Sequence, residues 1–372
     1  MTDLSDTYEV PREVCILRLS ALGDCANVVP TIHTLQAARP DIRITWVVNR
    51  AEAGLVADLP GVECVAYDKR GGRSAISELK RSLAGRRFDA LLDMHASWRA
   101  NRISLLIRAR RRIGFDARRA RDAQRLFVRE RISAIASRHV VDGFLAFAGR
   151  LGARAPIMDW RVPISDADRA HAQALVAETP GELLLISPCS SHTRRNWLAE
   201  RYAAAADHAA RAHGLRVVLV GGPSDIERRM GSDIEAAMQS PALNLIGQTS
   251  LKQLLAVFEQ GRILLTPDSG PAHMANASNI DTISLHAATD PRRSGAYRSR
   301  QLCVDYFAEA ARVYRNATPD TLKWGTRIED DDGVMALIPV AAVTERIDQA
   351  MARPPRARVS SDMPVCRERI TR

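Results

Sequence analysis

The chain has 372 residues, six cysteines, and 53 Lys and Arg against 43 Asp and Glu, for a net charge of +10. That length suits two domains better than one core, and no apolar run approaches the eighteen or more residues of a membrane span. The cysteines are scattered, with no CxxC pair and no His/Cys cluster, so they read as free thiols of a reducing cytoplasm rather than a disulfide framework or zinc site; the first residues lack the basic and apolar regions of a signal peptide.

Apolar runs of strand length alternate with helical patterns throughout, which predicts an α/β fold built on parallel sheets. The first strand covers residues 14–19. Ser20-Ala21-Leu22-Gly23-Asp24 follows, and residues 28–39 read as a helix with Pro30 near its start. No GxGxxG stands there, so a nicotinamide or flavin site is not supported. Asp24 has two readings. It can cap the helix, or serve as a general base at the carboxyl edge of the sheet. Residues 42–48, 62–67 and 90–94 supply the next strands of the first half.

The segment between them and beyond is strongly basic. Residues 69–131 hold 19 Lys and Arg against 6 Asp and Glu, an excess of +13 that exceeds the whole chain's +10. Arg108, Arg110, Arg111 and Arg112 form its densest run. A solvated surface accounts for many such residues, but this density predicts an anionic partner. The segment lacks interleaved aromatics for base stacking, so an anionic lipid or phosphorylated glycolipid is expected and nucleic acid is not.

Residues 166–178 read as a helix, and Thr179-Pro180-Gly181 breaks it. The domain boundary is placed there, giving an N-terminal domain of residues 1–178 and a C-terminal domain of 179–340. In the second half, three strands end in loops suited to a ligand. After residues 182–186 comes Ser187-Pro188-Cys189-Ser190-Ser191-His192-Thr193-Arg194-Arg195-Asn196-Trp197, whose hydroxyls and arginines fit a diphosphate. After 216–220 comes Gly221-Gly222-Pro223-Ser224-Asp225, with Glu227 in the helix beyond. After 263–265 comes Thr266-Pro267-Asp268-Ser269-Gly270-Pro271-Ala272-His273, a tight turn that opens a helix and aims backbone N–H groups at an anion. Together they predict a crevice at the carboxyl edge of a parallel sheet. A strand at 282–286 and a helix over residues 341–352 follow, and residues 353–372 are polar and proline-rich enough to predict disorder.

Three motifs, in order, carry a family resemblance: Ile16-Leu17-Arg18-Leu19-Ser20-Ala21-Leu22-Gly23-Asp24 with Pro30, Arg195-Asn196-Trp197 with Glu200-Arg201-Tyr202, and Asp268-Ser269-Gly270-Pro271-Ala272-His273. The chain resembles glycosyltransferase family 9 from about residue 14 to 350, a family best known for ADP-heptose:lipopolysaccharide heptosyltransferases. The resemblance implies a GT-B architecture: two Rossmann-like domains facing a cleft, with acceptor on the first, nucleotide sugar on the second, and a last helix crossing back to the first. It implies Asp24 as catalytic base, Ser190 and Ser191 at the donor phosphates, Arg195 where a member of the family has a lysine, and Asn196 in the same donor-binding loop. Thr249 falls near the adenine and Glu227 near the ribose. Asp268, Ser269, Gly270 and His273 match the donor-binding turn.

The implied reaction is inverting transfer of a heptose from an ADP-sugar to an anionic lipopolysaccharide-core acceptor. It would occur in the cytoplasm, with peripheral contact at the inner membrane. No Asp-x-Asp motif stands at a matching strand end, so chemistry without a metal or other cofactor is expected. Two alternatives stay open: a transferase of the same type using another nucleotide sugar, and a non-catalytic polyanion-binding protein on the same fold. No role is assigned to Lys323-Trp324-Gly325-Thr326-Arg327.

Overall fold

A computed structural model describes residues 9–329 and 333–356. Residues 1–8 and 357–372 lie outside it, and with them the expected absence of a signal peptide and most of the expected disordered tail. The chain forms two compact units that divide between Pro163 and Ile164.

In the first unit, six strands make one sheet: β1 (Glu13–Leu17), β2 (Arg43–Asn49), β3 (Val62–Tyr67), β4 (Phe88–Asp93), β5 (Ala109–Gly114) and β6 (Glu130–Arg131), in the order β3-β2-β1-β4-β5-β6. Every pairing is parallel. The central strands are apolar on both faces because helices cover both; Val14, Cys15, Ile16, Leu17 and Leu91 are fully buried. The chain winds outward from β1 through β2 to β3, then returns to the other side of β1 to add β4. The strand order therefore reverses between the carboxyl ends of β1 and β4, and a crevice opens there in such sheets.

The second unit repeats the design with β7 (Leu183–Ile186), β8 (Arg216–Leu219), β9 (Ala242–Asn244), β10 (Gly261–Pro267), β11 (Asp281–His286) and β12 (Val304–Asp305), ordered β12-β11-β10-β7-β8-β9 and again all parallel. Its switch point lies between β7 and β10. Both units are thus Rossmann-like, the pair expected of a GT-B protein.

The boundary differs from the expected one. Helix Asp166–Val176, placed before the break by its sequence, belongs to the second unit. It packs on helix Leu251–Phe258, and Arg169 reaches Glu259 just beyond that helix at 2.9 Å. Helix Val340–Met351, expected to cross back, also counts in the second unit. Val343, Ile347 and Ala350 join the core with Tyr202, Ala205 and Ala209 of helix Ala199–His213. The first residues of the expected tail are held too: Arg356 Nε lies 2.6 Å from the buried carboxylate of Asp281.

Candidate functional site

At the β1/β4 switch point, the backbone is locked before any side chain is placed. The Arg18 amide donates to Val47 O at 3.2 Å, and the Met94 amide donates to Leu17 O at 3.1 Å. The Leu19 amide donates to Nδ1 of His95 at 3.2 Å, which leaves the ring proton on Nε2. The Ser20–Ala21 peptide is cis. Helix Leu22–Ala38 starts at once, earlier than its apolar pattern suggests, so Asp24 falls in its first turn and Pro30 in its interior.

Asp24 is not a cap. The N-cap is Ala21, without a side-chain bond to the helix, and the Asp24 carboxylate accepts from Nη2 of Arg18 instead. Arg18 is fixed from other sides: Nη1 donates to Met94 O at 2.7 Å, and the guanidinium lies 5.4 Å from the centre of the Phe144 ring. Two other titratable groups stand near. Burial, reinforced by the charge of Arg18, drives His95 down to about 3, so its ring is neutral at physiological pH. Burial lifts Asp93 to about 7, and its Oδ2 has no hydrogen-bond partner. Asp93 is wholly enclosed, and the accepting nitrogen of His95 is already used by Leu19. With 27% of its side chain exposed, Asp24 is the one of the three that can meet a hydroxyl in solution.

At the β7/β10 switch point, two loops bring Arg195 to Asp268. Asn196 shapes the first, its Oδ1 accepting from the Ser190 amide at 2.7 Å. Ser190 is half-buried and Ser191 exposed. Arg195 is buried; its Nη1 lies 3.8 Å from Asp268 Oδ2, and its Nε donates to Glu329. Asp268 Oδ2 accepts from Ser294 Oγ at 3.0 Å, and Oδ1 lies 3.7 Å from Nε2 of His273. Burial alone would raise the Asp268 carboxyl. His273 beside it and the Arg195 guanidinium outweigh that and hold it well below the usual carboxylate range. Ser269, N-cap of helix Gly270–Ser278, pairs its hydroxyl with Thr266 at 2.9 Å. Two polar atoms here are buried without a partner: Nη2 of Arg195 and Nδ1 of His273. A buried donor left unmade costs about 1–3 kcal/mol, so a bound anion that accepts from Arg195 recovers free energy.

Residues 76–320 match the family described as Glycosyltransferase family 9 (heptosyltransferase). The chain belongs to glycosyltransferase family 9. As a family 9 protein it is an enzyme that transfers a sugar. It is 36% identical over 321 residues to the lipopolysaccharide core heptosyltransferase OpsX of Haemophilus influenzae, covering 86% of this chain and 92% of that protein. It is 22% identical to lipopolysaccharide heptosyltransferase 1 of Escherichia coli K12, over 78% of this chain and 92% of that one. Among solved structures, a glycosyl transferase family 9 protein of Veillonella parvula superposes with a TM-score of 0.74 at 20% identity, covering 92% of this chain and 98% of the other. The E. coli heptosyltransferase WaaC with ADP gives 0.60 at 19% identity, over 80% and 97%. These two likenesses speak for the fold.

The remaining expected residues divide. Glu227 lies in the first turn of helix Asp225–Ala237, where its carboxylate accepts from the Gly222 amide at 2.7 Å and the Ser224 hydroxyl at 2.6 Å. Ser224 caps that helix in return, its hydroxyl oxygen accepting from the Glu227 amide at 3.3 Å. A Cβ at Gly222 would stand 2.9 Å from the Glu227 carboxylate, which would have to shift to make room for it. Thr249 directly precedes Ser250, the N-cap of helix Leu251–Phe258. The Gly247 amide donates to Gly221 O at 3.0 Å and ties the two loops together. Cys189 beside the first loop is buried, its thiol pushed up to about 12 by burial and by Glu227, so it is a neighbour and not a nucleophile.

The arginine run needs correction. Residues 109–114 form β5, and that strand turns Arg111 and Arg112 to structural work. Arg111 makes a two-pronged pair with Glu130, at 2.9 and 2.8 Å. Arg112 donates to the carbonyls of Phe127, Ile107 and Ser104. Arg108 and Arg110 stay exposed. The basic character gathers instead around a cavity of about 790 Å³ at the carboxyl ends of β3 and β4. Lys69, Arg73, Lys80, Arg99 and Arg102 supply its charge, with Tyr67 and Trp98 as apolar walls and no carboxylate among its described lining residues.

Glu329 was not expected. It reaches Arg195 because the segment 323–328 folds back on the loop after β11: Ile328 donates to Ala288 O at 2.8 Å, and Arg293 lies 4.9 Å from the Trp324 ring centre. Sequence pattern offers no signal for it, since 134 residues separate the partners.

Proposed function

We propose that this chain moves a heptose from ADP-heptose to a phosphorylated lipopolysaccharide-core acceptor, with inversion and without a metal. The names of its relatives support the sugar, the donor nucleotide and the acceptor class. The observation that carries the reading is the Arg195–Asp268–His273 cluster at the second unit's switch point, with its unpartnered donor Nη2.

In this reaction the acceptor oxygen attacks the anomeric carbon, the bond from that carbon to the diphosphate oxygen breaks, and Asp24 takes the hydroxyl proton. Charge accumulates on the departing ADP. Arg195 and the amides that open helix Gly270–Ser278 stabilise it. Asp268, held ionised, is suited to sugar hydroxyls rather than to phosphate.

The acceptor's phosphates fit the cationic cavity of the first unit. Trp98 of that cavity exposes 56% of its surface and stands edge-on to Phe127 at 6.5 Å, and Leu105 and Leu126, in the same basic stretch of the chain, expose 63% and 75%. Exposed apolar groups in a strongly basic segment suit peripheral contact with an anionic membrane. No described helix is long and apolar enough to span one.

The test is transfer by the purified protein to a heptose-free core acceptor, with ADP-heptose against UDP- and GDP-sugars, in EDTA, and with the product anomer read by NMR. Turnover with ADP-heptose alone, unaffected by EDTA and giving the inverted linkage, supports the reading. A preference for another nucleotide sugar transfers it to the alternative donor.

A further inference from the structure

Helix Ala199–His213 spans the second unit from one sheet edge to the other. At its start Trp197 and Arg201 bind the carbonyl of Ile338 at 3.1 and 2.6 Å, and at its end Gly214 in the left-handed conformation turns the chain into β8. His208 and His213 therefore lie toward the amino edge of the sheet, away from the carboxyl edge that holds Arg195 and Asp268. Helix Val340–Met351 packs alongside and brings Asp348 between them.

Three ligand atoms converge there. Oδ1 of Asp348 lies 2.7 Å from Nε2 of His208 and 2.6 Å from Nε2 of His213, and the two rings meet edge to face at 5.9 Å. All three atoms fall within 4.8 Å of one another, and among the described residues this is the one place where three such side chains do so. The side chains remain 31%, 22% and 50% exposed, so an ion can enter and keep a water ligand.

We propose that His208, His213 and Asp348 form a binding site for a borderline divalent transition-metal ion, typified by Zn²⁺, that fastens the C-terminal helix to helix Ala199–His213. Two imidazole nitrogens and one carboxylate oxygen suit zinc and its first-row neighbours, and suit magnesium or calcium poorly. Without metal, both rings spend their Nε2–H on one carboxylate oxygen. With metal, each presents the Nε2 lone pair and keeps its proton on Nδ1. Bonds of about 2.0–2.2 Å place tetrahedral ligands about 3.3 Å apart, so the carboxylate must withdraw by about 0.7 Å. A half-exposed Asp348 near the end of its helix has room for that shift. Three protein ligands leave a fourth position for water. The site lies at the other sheet edge from the donor cluster, so its metal is structural, and metal-free sugar transfer is compatible with it.

The experiment is titration of the EDTA-stripped, full-length protein with Zn²⁺ by calorimetry and thermal melting, alongside His208→Gln, His213→Gln and Asp348→Asn. Wild type should bind one equivalent and melt at a higher temperature. Each variant should fold, lose the metal-dependent rise in Tm, and bind at least about tenfold more weakly. Co²⁺ should give the visible absorption of a four-coordinate site in wild type and lose it in His213→Gln. Zinc affinity unchanged in the three variants, or no binding by wild type, would overturn the proposal. Heptose transfer is scored separately: its loss with intact zinc binding counts against the proposed function alone.

Discussion

Replacing Asp24 by Asn separates a base from a structural partner. The side chain keeps its size and one oxygen to accept from Arg18, but the ion pair is gone. Exposed pairs contribute about 0–1 kcal/mol, and breaking fully buried ones costs about 3–5 kcal/mol. Arg18 is 11% and Asp24 27% exposed in their side chains, and Arg18 retains Met94 O and the Phe144 ring. An intermediate cost of about 1–2 kcal/mol follows, or a fall in Tm of roughly 3–8 °C for a unit of this size. Loss of proton transfer is larger: about a hundredfold to ten-thousandfold in rate, or about 2.7–5.5 kcal/mol in the barrier. The assay is single-turnover transfer at saturating ADP-heptose with a melting curve on the same preparation. Expected are a modest fall in Tm, near-normal donor affinity and at least about a hundredfold loss in rate. A well-folded Asp24→Asn protein within tenfold of wild type would refute the assignment and leave Asp24 as the anchor of Arg18.

Arg195→Gln should weaken ADP binding about tenfold to a hundredfold, the worth of a charge-assisted hydrogen bond, and weaken AMP binding far less; calorimetry showing equal losses for both would remove the diphosphate from this residue. Lys80→Glu with Arg102→Glu should raise the acceptor KM without altering ADP affinity, and the wild-type KM should climb with ionic strength, because exposed charges are screened over about 8 Å at physiological salt. A salt-independent KM would make the cavity's cations mere surface. The third test concerns stability against pH. Unfolded His95 gains a proton below 6.5 while the folded ring resists until about 3, so stability falls as pH drops through that range. Unfolded Asp93 loses its proton above 3.8 while the folded carboxyl keeps it to about 7, so stability falls as pH rises from 3.8 to about 7. Between pH 4 and 6.5, approximately, these slopes of about 1.4 kcal/mol per pH unit oppose each other. Asp93→Asn removes the second, so its denaturant-derived stability should climb with pH more steeply than that of wild type; parallel curves would mean that Asp93 is already ionised in the fold.

The sequence by itself determined the repeated α/β design and the turns that build the two candidate centres. Runs such as Val14-Cys15-Ile16-Leu17 and Leu183-Leu184-Leu185-Ile186 can satisfy both backbone and side chains only as central strands covered on two faces, and Asp268-Ser269-Gly270 is a local turn whose chemistry is written in adjacent residues. Tertiary structure decided what those residues meet. Arg108 to Arg112 reads as a free cationic run, yet the open edge of β4 recruits it as a strand, and alternation along that strand sends Arg111 to Glu130 and Arg112 to backbone carbonyls. The short edge strands β6, β9 and β12 carry little pattern of their own and exist because a neighbour offers unpaired N–H and C=O groups. Helix Asp166–Val176 joins the second unit because its partner is Glu259, 90 residues away. Asp24 reads as a cap by position, but becomes the partner of Arg18 once β1 and β4 fix that guanidinium beside Met94. Local propensity acts over a few residues. The pairing of charges and the gathering of cations from the segments that follow β3 and β4 depend on separations that only the folded sheet closes.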